Sequence, residues 1–408
     1  MKWVYSFALI LYGLVIRFAS VFNPKAKEWI VGRNDWQSQL TDLPSSVVWF
    51  HCASLGEFDQ GLPVMWELKK KNPNCYMLVT FFSPSGMNHF HKRKHCVDKA
   101  VYLPLDTPMN ARKFIQLVQP KLVVFVKYEF WANYIFELKT QKIQLISIAT
   151  ILRPTQIYFQ FYGGFFRKIL QSFDFFYVQN KETSFLLKSI GIGKIKVVGD
   201  TRFDNVIANK LNFESKQKSE ADTIFKQFLS GNKAIIFGSS WEDEERILVE
   251  SLAELKNEKI IIAPHSVNEN NCQRLMQLFG KRAIRFTKFE DFSNQSILIL
   301  DTIGHLSSAY YYGKVAFVGG GFSGQLHNIL EPAVFGLPLF FGPKHTKFPE
   351  AAIFCEEGFA FDVDSVQLFL KKLAFVEENK VVLSQKAIGF IEKQKGVAER
   401  IVNDLKFP

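Results

Sequence analysis

Residues 315–342 read Val-Ala-Phe-Val-Gly-Gly-Gly-Phe-Ser-Gly-Gln-Leu-His-Asn-Ile-Leu-Glu-Pro-Ala-Val-Phe-Gly-Leu-Pro-Leu-Phe-Phe-Gly. The first four form an apolar run of strand type, and the glycines after it let a backbone approach a ligand before a helix opens near His327 and Asn328. Such a helix start is a seat for phosphate. Glu331, one turn in, is placed to accept hydrogen bonds from sugar hydroxyls, and Gly336-Leu-Pro-Leu-Phe-Phe begins the next buried strand. The arrangement suits a nucleotide-sugar. The competing account is local: Asn328 is an N-cap and Glu331 its capping-box partner, with the glycines closing an ordinary strand-to-helix turn.

Outward from this unit the same alternation of short apolar runs and longer helical patterns continues in both directions, which predicts an α/β fold of parallel sheets with crossover helices. The first half carries strand signals at Val47–His51, Cys75–Phe81, Ala100–Leu103, Leu122–Val126, Ile143–Ile148, Phe175–Val178 and Ile195–Val198. The second half carries them at Ala234–Phe237, Lys259–Ala263, Ser296–Leu300, Val315–Val318 and Leu337–Phe341. A charged helical stretch, Asn212 to Gln227, separates the two sets and puts the junction near residues 205–215. Two Rossmann-like doubly wound domains follow, residues 23–210 and 211–408, behind a segment 1–22. The final stretch, Val382 to Leu405, reads helical.

The chain has 408 residues, 48% of them hydrophobic, enough for two packed cores. Its formal charge of +11 points to an anionic partner. Basic residues are spread along the chain and no nucleic-acid-binding signature accompanies them, so nucleic acid is not the expected partner. Five cysteines, without metal-like pair spacing, fit a reduced compartment and no disulfide framework. From Trp3 to Phe22 the chain is apolar apart from Arg17, and about 20 residues at 1.5 Å each reach across a bilayer core. Lys25, Lys27 and Arg33 just beyond place the body on the cytoplasmic side. With no clear cleavage site, an anchor is favoured over a signal peptide.

Three further motifs accompany the C-terminal one: Val47-Val-Trp-Phe-His-Cys-Ala-Ser-Leu-Gly-Glu-Phe, Lys127-Tyr-Glu-Phe-Trp-Ala-Asn and Gly199-Asp-Thr-Arg-Phe-Asp. In this order they resemble the bacterial 3-deoxy-D-manno-octulosonic acid (Kdo) transferases of lipopolysaccharide synthesis, along nearly the whole chain. The resemblance implies a glycosyltransferase-B fold whose C-terminal helix crosses back to the first domain, and an inverting transfer of Kdo from CMP-Kdo to the lipid A precursor, lipid IVA, with release of CMP. It implies work at the inner membrane, contact with anionic lipids, and neither cofactor nor metal. By it Glu57 is the catalytic base, Glu129 assists in the transition state and Arg202, where the family usually has Lys, relieves developing negative charge. The CMP site maps onto Pro264-His265, Ile303-Gly304-His305 and Asn328-Ile329-Leu330-Glu331. His265 stands where the family has Arg, and His305 departs from a Met-Gly-Glu-like turn.

Residue chemistry alone leaves alternatives. Glu57 and Glu129, each expected in the first turn of a helix, are also explained as partners of the helix dipole, and a helix N-terminus would depress the basicity of Glu57. Arg202 is also explained by an ion pair with Asp200 or Asp204. His89, His91 and His95 lie among Lys92, Arg93, Lys94 and Lys99, which argues against a bound cation. The aromatic run Tyr158–Phe166 suits a membrane surface or acyl chains. A UDP-sugar enzyme of the same fold type, or a non-catalytic nucleotide-sugar or lipid-binding protein, remains the alternative.

Overall fold

Strands that are apolar on both faces pack only where helices cover both sides of a parallel sheet, and two such sheets organise this chain. The computed structural model describes residues 1–215, 219–289 and 295–405. Among them the strands are β1 (Val47–Cys52), β2 (Tyr76–Phe81), β3 (Lys99–Tyr102), β4 (Leu122–Val126), β5 (Gln144–Thr150), β6 (Phe175–Val178) and β7 (Ile195–Val197). The second sheet holds β8 (Ala234–Ser240), β9 (Lys259–Pro264), β10 (Ala283–Arg285), β11 (Ile297–Ile299), β12 (Gly313–Val318), β13 (Leu339–Phe341) and β14 (Ala360–Asp362). Their orders are β3-β2-β1-β4-β5-β6-β7 and β10-β11-β9-β8-β12-β13-β14. Every pairing is parallel.

The doubly wound α/β class read from the sequence is therefore the fold. β10 and β14 went unread; each has three residues and lies at an outer edge, where little apolar surface marks it. Residues 216–218 of the expected helical stretch lie outside the described residues, between the helices Arg202–Ser215 and Glu220–Leu229.

Alternation along β1 shows how the first sheet is covered. Val47 and Trp49 enter one core with Phe114, Phe125 and Tyr134, while Val48, Phe50 and Cys52 enter the other with Phe58, Phe81 and Val397. One compact unit comprises Met1–Asn205 with Gly396–Pro408, and a second comprises Val206–Lys395. The C-terminal helical segment is two helices, Val366–Gln394 and Val397–Asp404. They are separated at Gly396, whose φ of 83° suits glycine. Asp204 fixes the start of the last helix in the first unit, accepting the N–H groups of Gly396 (2.6 Å) and Ala398 (2.7 Å).

The N-terminal residues are more firmly built into the first unit than the sequence suggests. Trp36 and Leu40 belong to its core, with Tyr5 packed against it. Arg33 lies over the rings of Trp29 (3.7 Å), Tyr102 (4.9 Å) and Phe82 (5.0 Å). Its guanidinium donates to the carbonyls of Leu103 (2.9 Å), Trp29 (3.0 Å) and Phe82 (2.7 Å). Planarity and five donors suit Arg to such a place. Arg33→Ala should cost about 3 kcal/mol of stability, the scale for losing charge-assisted bonds at part-buried carbonyls. Urea denaturation would show it; an unchanged midpoint would mean that the Arg33 bonds add nothing to the stability of the fold.

Candidate active site

In each sheet the strand order reverses at one place, between β1 and β4 and between β8 and β12, and crevices outside the carboxyl ends of strands at such points are where open α/β sheets bind ligands. At the first reversal β1 runs through a short turn into the helix Leu55–Lys71, and Glu57 in its first turn accepts the N–H of Ala53. β4 ends at Val126, and Lys127, with a φ of 70°, swings the chain into a loop carrying Glu129. That helix begins only at Ala132, so Glu129 is not a first-turn residue and the helix-dipole account of it falls away.

The two carboxyl groups are close enough to repel. Burial first, then the Glu129 charge, raises the Glu57 pKa to about 7, against the lowering effects of Ala53 N–H and Lys127. The expected depression by the helix N-terminus is thus overridden, because Glu57 is buried and desolvation penalises its charged form. Burial also raises Glu129. A carboxyl group poised near neutrality at a crevice has the chemistry of a general base.

Beneath this pair lies a polar network that sequence reasoning missed. His51, fully buried at the end of β1, accepts the indole N–H of Trp131 at Nε2 (2.9 Å) and meets Thr80 Oγ1 at Nδ1 (2.9 Å). Thr80 Oγ1 also accepts the indole N–H of Trp49 (2.8 Å). Burial lowers the His51 pKa to about 3, so it is neutral, and the Trp131 bond puts its proton on Nδ1. The available signal was a histidine inside an apolar strand run. Asp106 was missed as well. Its carboxylate accepts the N–H groups of Asn133 (3.1 Å) and Tyr134 (3.0 Å) at the start of the helix Ala132–Thr140, and the hydroxyl of Tyr5 (2.7 Å).

Arg202 is placed elsewhere. It follows β7, four strand spacings from β1, about 19 Å across the sheet. Its Nε and Nη2 reach Asp200 Oδ2 at 2.8 and 2.7 Å.

In the second unit the residues expected to bind CMP collect at the carboxyl ends of β9, β11 and β12. Pro264 ends β9, and His265 stacks on Trp241 (4.3 Å, 17° between planes) and leans on His327 (4.6 Å). Burial and His265 lower the His327 pKa to about 4, so its imidazole is neutral. Its Nε2 is buried with no hydrogen-bond partner among the described residues. Ile303 is exposed, Gly304 has φ 105°, and His305 packs on Phe286 (4.8 Å). A cavity of about 230 Å³ beside the β8–β12 reversal is lined by Trp241, Glu244, Gly320, Phe322 and Ser323.

Two expectations change here. The helix after the glycines is a single turn, Leu330–Ala333, too short for a substantial dipole at His327 and Asn328. The glycines serve protein backbone: a Cβ on Gly319 would meet the Ser239 carbonyl, one on Gly320 that of Gln325 and one on Gly321 the Gly342 backbone. Asn328 Oδ1 accepts the Leu330 N–H (3.1 Å), while Glu331 receives Asn328 Nδ2 (3.1 Å) and Ser307 Oγ (2.8 Å). Ile329 and Leu330 are buried beneath them.

A family model described as 3-Deoxy-D-manno-octulosonic-acid transferase (kdotransferase) matches residues 28–205. A 3-deoxy-D-manno-octulosonic acid transferase of Aquifex aeolicus is 29% identical over 336 residues, 80% of this chain and 84% of that protein. One of Haemophilus influenzae is 24% identical over 424 residues, 98% and 97% of the two chains. Along most of its length the chain is similar to Kdo transferases. That similarity indicates a glycosyltransferase. Among solved structures the chain is similar to UDP-GlcNAc 2-epimerase of Neisseria meningitidis (TM-score 0.64, 15% identity, 88% of this chain and 98% of that one). It is also similar to Acinetobacter baumannii MurG (TM-score 0.52, 12% identity, 88% and 98%). These likenesses concern the fold alone.

The shifted carboxyl group makes stability depend on pH. Glu57 binds a proton more tightly folded, near 7, than unfolded, near 4.5, so its favourable contribution is present below pH 4.5 and lost as pH rises through 7. Glu57→Gln should therefore stabilise the transferase at pH 8 by about 2 kcal/mol and leave it unchanged at pH 4.5. Thermal denaturation at the two pH values tests this; equal shifts at both would mean that the group is not strained by ionisation.

Proposed function

We propose that this transferase moves Kdo from CMP-Kdo to a sugar hydroxyl of the lipid A precursor, lipid IVA, with inversion at the anomeric carbon and release of CMP. The observation that carries the mechanism is the Glu57–Glu129 pair at the strand reversal, with Glu57 ionising near pH 7. Glu57 takes the proton of the attacking hydroxyl as its oxygen bonds to the anomeric carbon. The bond from that carbon to the CMP phosphate oxygen breaks, and its electron pair leaves with CMP. Glu129 keeps Glu57 basic through repulsion.

In this reading Pro264, His265, the Ile303–His305 turn and the Asn328–Glu331 segment bind CMP, with Glu331 on the ribose hydroxyls. Arg202, already balanced by Asp200, carries charge relief on the strength of its motif. The placement at the inner membrane rests on the helix Lys2–Ala19, long and apolar enough to cross a bilayer. Its exposed Trp3, Phe7, Leu14 and Phe18 recur at helical spacing, while Tyr5 and Ser6 hydrogen-bond into the protein body. A helix held sideways by such bonds suits a position in the plane of the cytoplasmic leaflet better than a span, with Lys25 and Lys27 toward headgroups.

Incubating the purified protein with CMP-Kdo and lipid IVA and weighing the lipid tests the reaction: no added Kdo mass rejects it. Glu57→Gln should cut turnover about 10²–10⁴-fold with CMP affinity retained. Near-wild-type turnover would remove Glu57 from the chemistry. Glu331→Ala should raise the donor KM with little effect on kcat, since ribose contacts exist in ground and transition states alike. A fixed KM with a lowered thermal midpoint would instead reduce Glu331 to a brace for Asn328.

A further inference from the structure

The helix Ala132–Thr140 starts without a cap of its own. Its N-cap residue is Trp131, which has no side-chain oxygen, so the first N–H groups need acceptors from elsewhere in the chain. Asp106 accepts those of Asn133 and Tyr134, and the Tyr5 hydroxyl accepts that of Ala132 (3.3 Å) while donating to Asp106 Oδ2 (2.7 Å). Asn133 adds Nδ2 bonds to the Asp106 carbonyl (2.6 Å) and to Ser6 Oγ (3.3 Å). Two residues of the apolar first helix thus complete the cap of the helix that ends the Glu129 loop. On the loop's other side, Trp131 is held by His51 and packs at a tilt against Phe82 (4.6 Å). Only five residues, Lys127 to Trp131, lie between β4 and this capped start, so a displaced cap displaces Glu129.

We propose that the first helix is part of the catalytic apparatus as well as a membrane attachment: Tyr5, acting with Asp106, is a positioning residue that holds Glu129 against Glu57 through the start of the helix Ala132–Thr140. This rests on the carboxylate reading above. The charged and titratable groups facing Asp106 are Lys2, Tyr5 and Tyr134; those facing the carboxylate pair are Lys127, Tyr128, Tyr158 and Cys52. Without the Tyr5 hydroxyl the loop relaxes, the repulsion weakens and Glu57 becomes a weaker base.

The test compares full-length wild-type and Tyr5→Phe proteins in detergent micelles with CMP-Kdo and lipid IVA. The ring and its packing on Phe165 remain, so the protein keeps its fold and its membrane partition. Turnover should fall about 10–10²-fold, the scale for a small misplacement of catalytic groups. The acidic limb of the turnover profile should move to lower pH, and the donor KM should stay. Asp106→Asn should show the same pattern. Leu14→Ser and Phe18→Ser, on the exposed face, should weaken binding to phosphatidylethanolamine–phosphatidylglycerol vesicles and leave micellar turnover unchanged. Wild-type turnover and pH profile in Tyr5→Phe would overturn the proposal, as would an equal loss in Leu14→Ser. A fully active Glu57→Gln enzyme would instead defeat the carboxylate reading, and this role with it.

Discussion

Holding a carboxyl group out of water beside another one is the constraint around which the first unit is arranged. Opposing influences act on Glu57: desolvation and the Glu129 charge hold the proton on, while backbone N–H groups and Lys127 pull it off. Desolvation wins because the side chain is buried, and the helix N-terminus, which would win at an exposed site, only moderates the result. The neighbouring polar groups solve the same problem differently. His51 stays neutral and spends both ring nitrogens on hydrogen bonds, whereas Asp106 is surrounded by donors yet still has its pKa raised to about 6 by burial. Each is a polar atom set among apolar strands, and each is fully engaged.

The sheets were legible because a strand buried on both faces must be an unbroken apolar run, and β4, Leu-Val-Val-Phe-Val, leaves no other reading. Edges such as β10 and β14 escape that logic. Glu57 and Glu129 were legible as motif residues, but their charge states were not, since burial depends on contacts far apart in sequence. The pairing of Tyr5 with Asp106 spans 101 positions, and no local pattern announces it. The role of Arg33 was hidden for a related reason: in sequence it is one of several basic residues after an apolar segment, and only the fold reveals the three carbonyls it binds.

The second unit shows a different economy. Its glycine run looked like an approach to a ligand, yet three consecutive positions are needed for backbone to touch backbone. What gathers around it is side chains rather than a helix dipole: the stacked Trp241 and His265, the uncharged His327, and Glu331 with its Asn328 and Ser307 supports.

The break at Gly396 bears on the order in which the protein is made. Because the last helix belongs to the first unit, the second unit is an insertion in sequence, and the ribosome completes it before the residues that finish its predecessor emerge. Val397, Ala398, Ile401 and Val402 are core residues of the first sheet, so until synthesis ends that sheet has an uncovered apolar flank beside the helix Leu55–Lys71. The nascent chain must carry this flank through some 190 residues of translation, a long-range closure of the kind that slows folding and invites association with other chains. A premature stop near the end would accordingly damage the half of the protein made first.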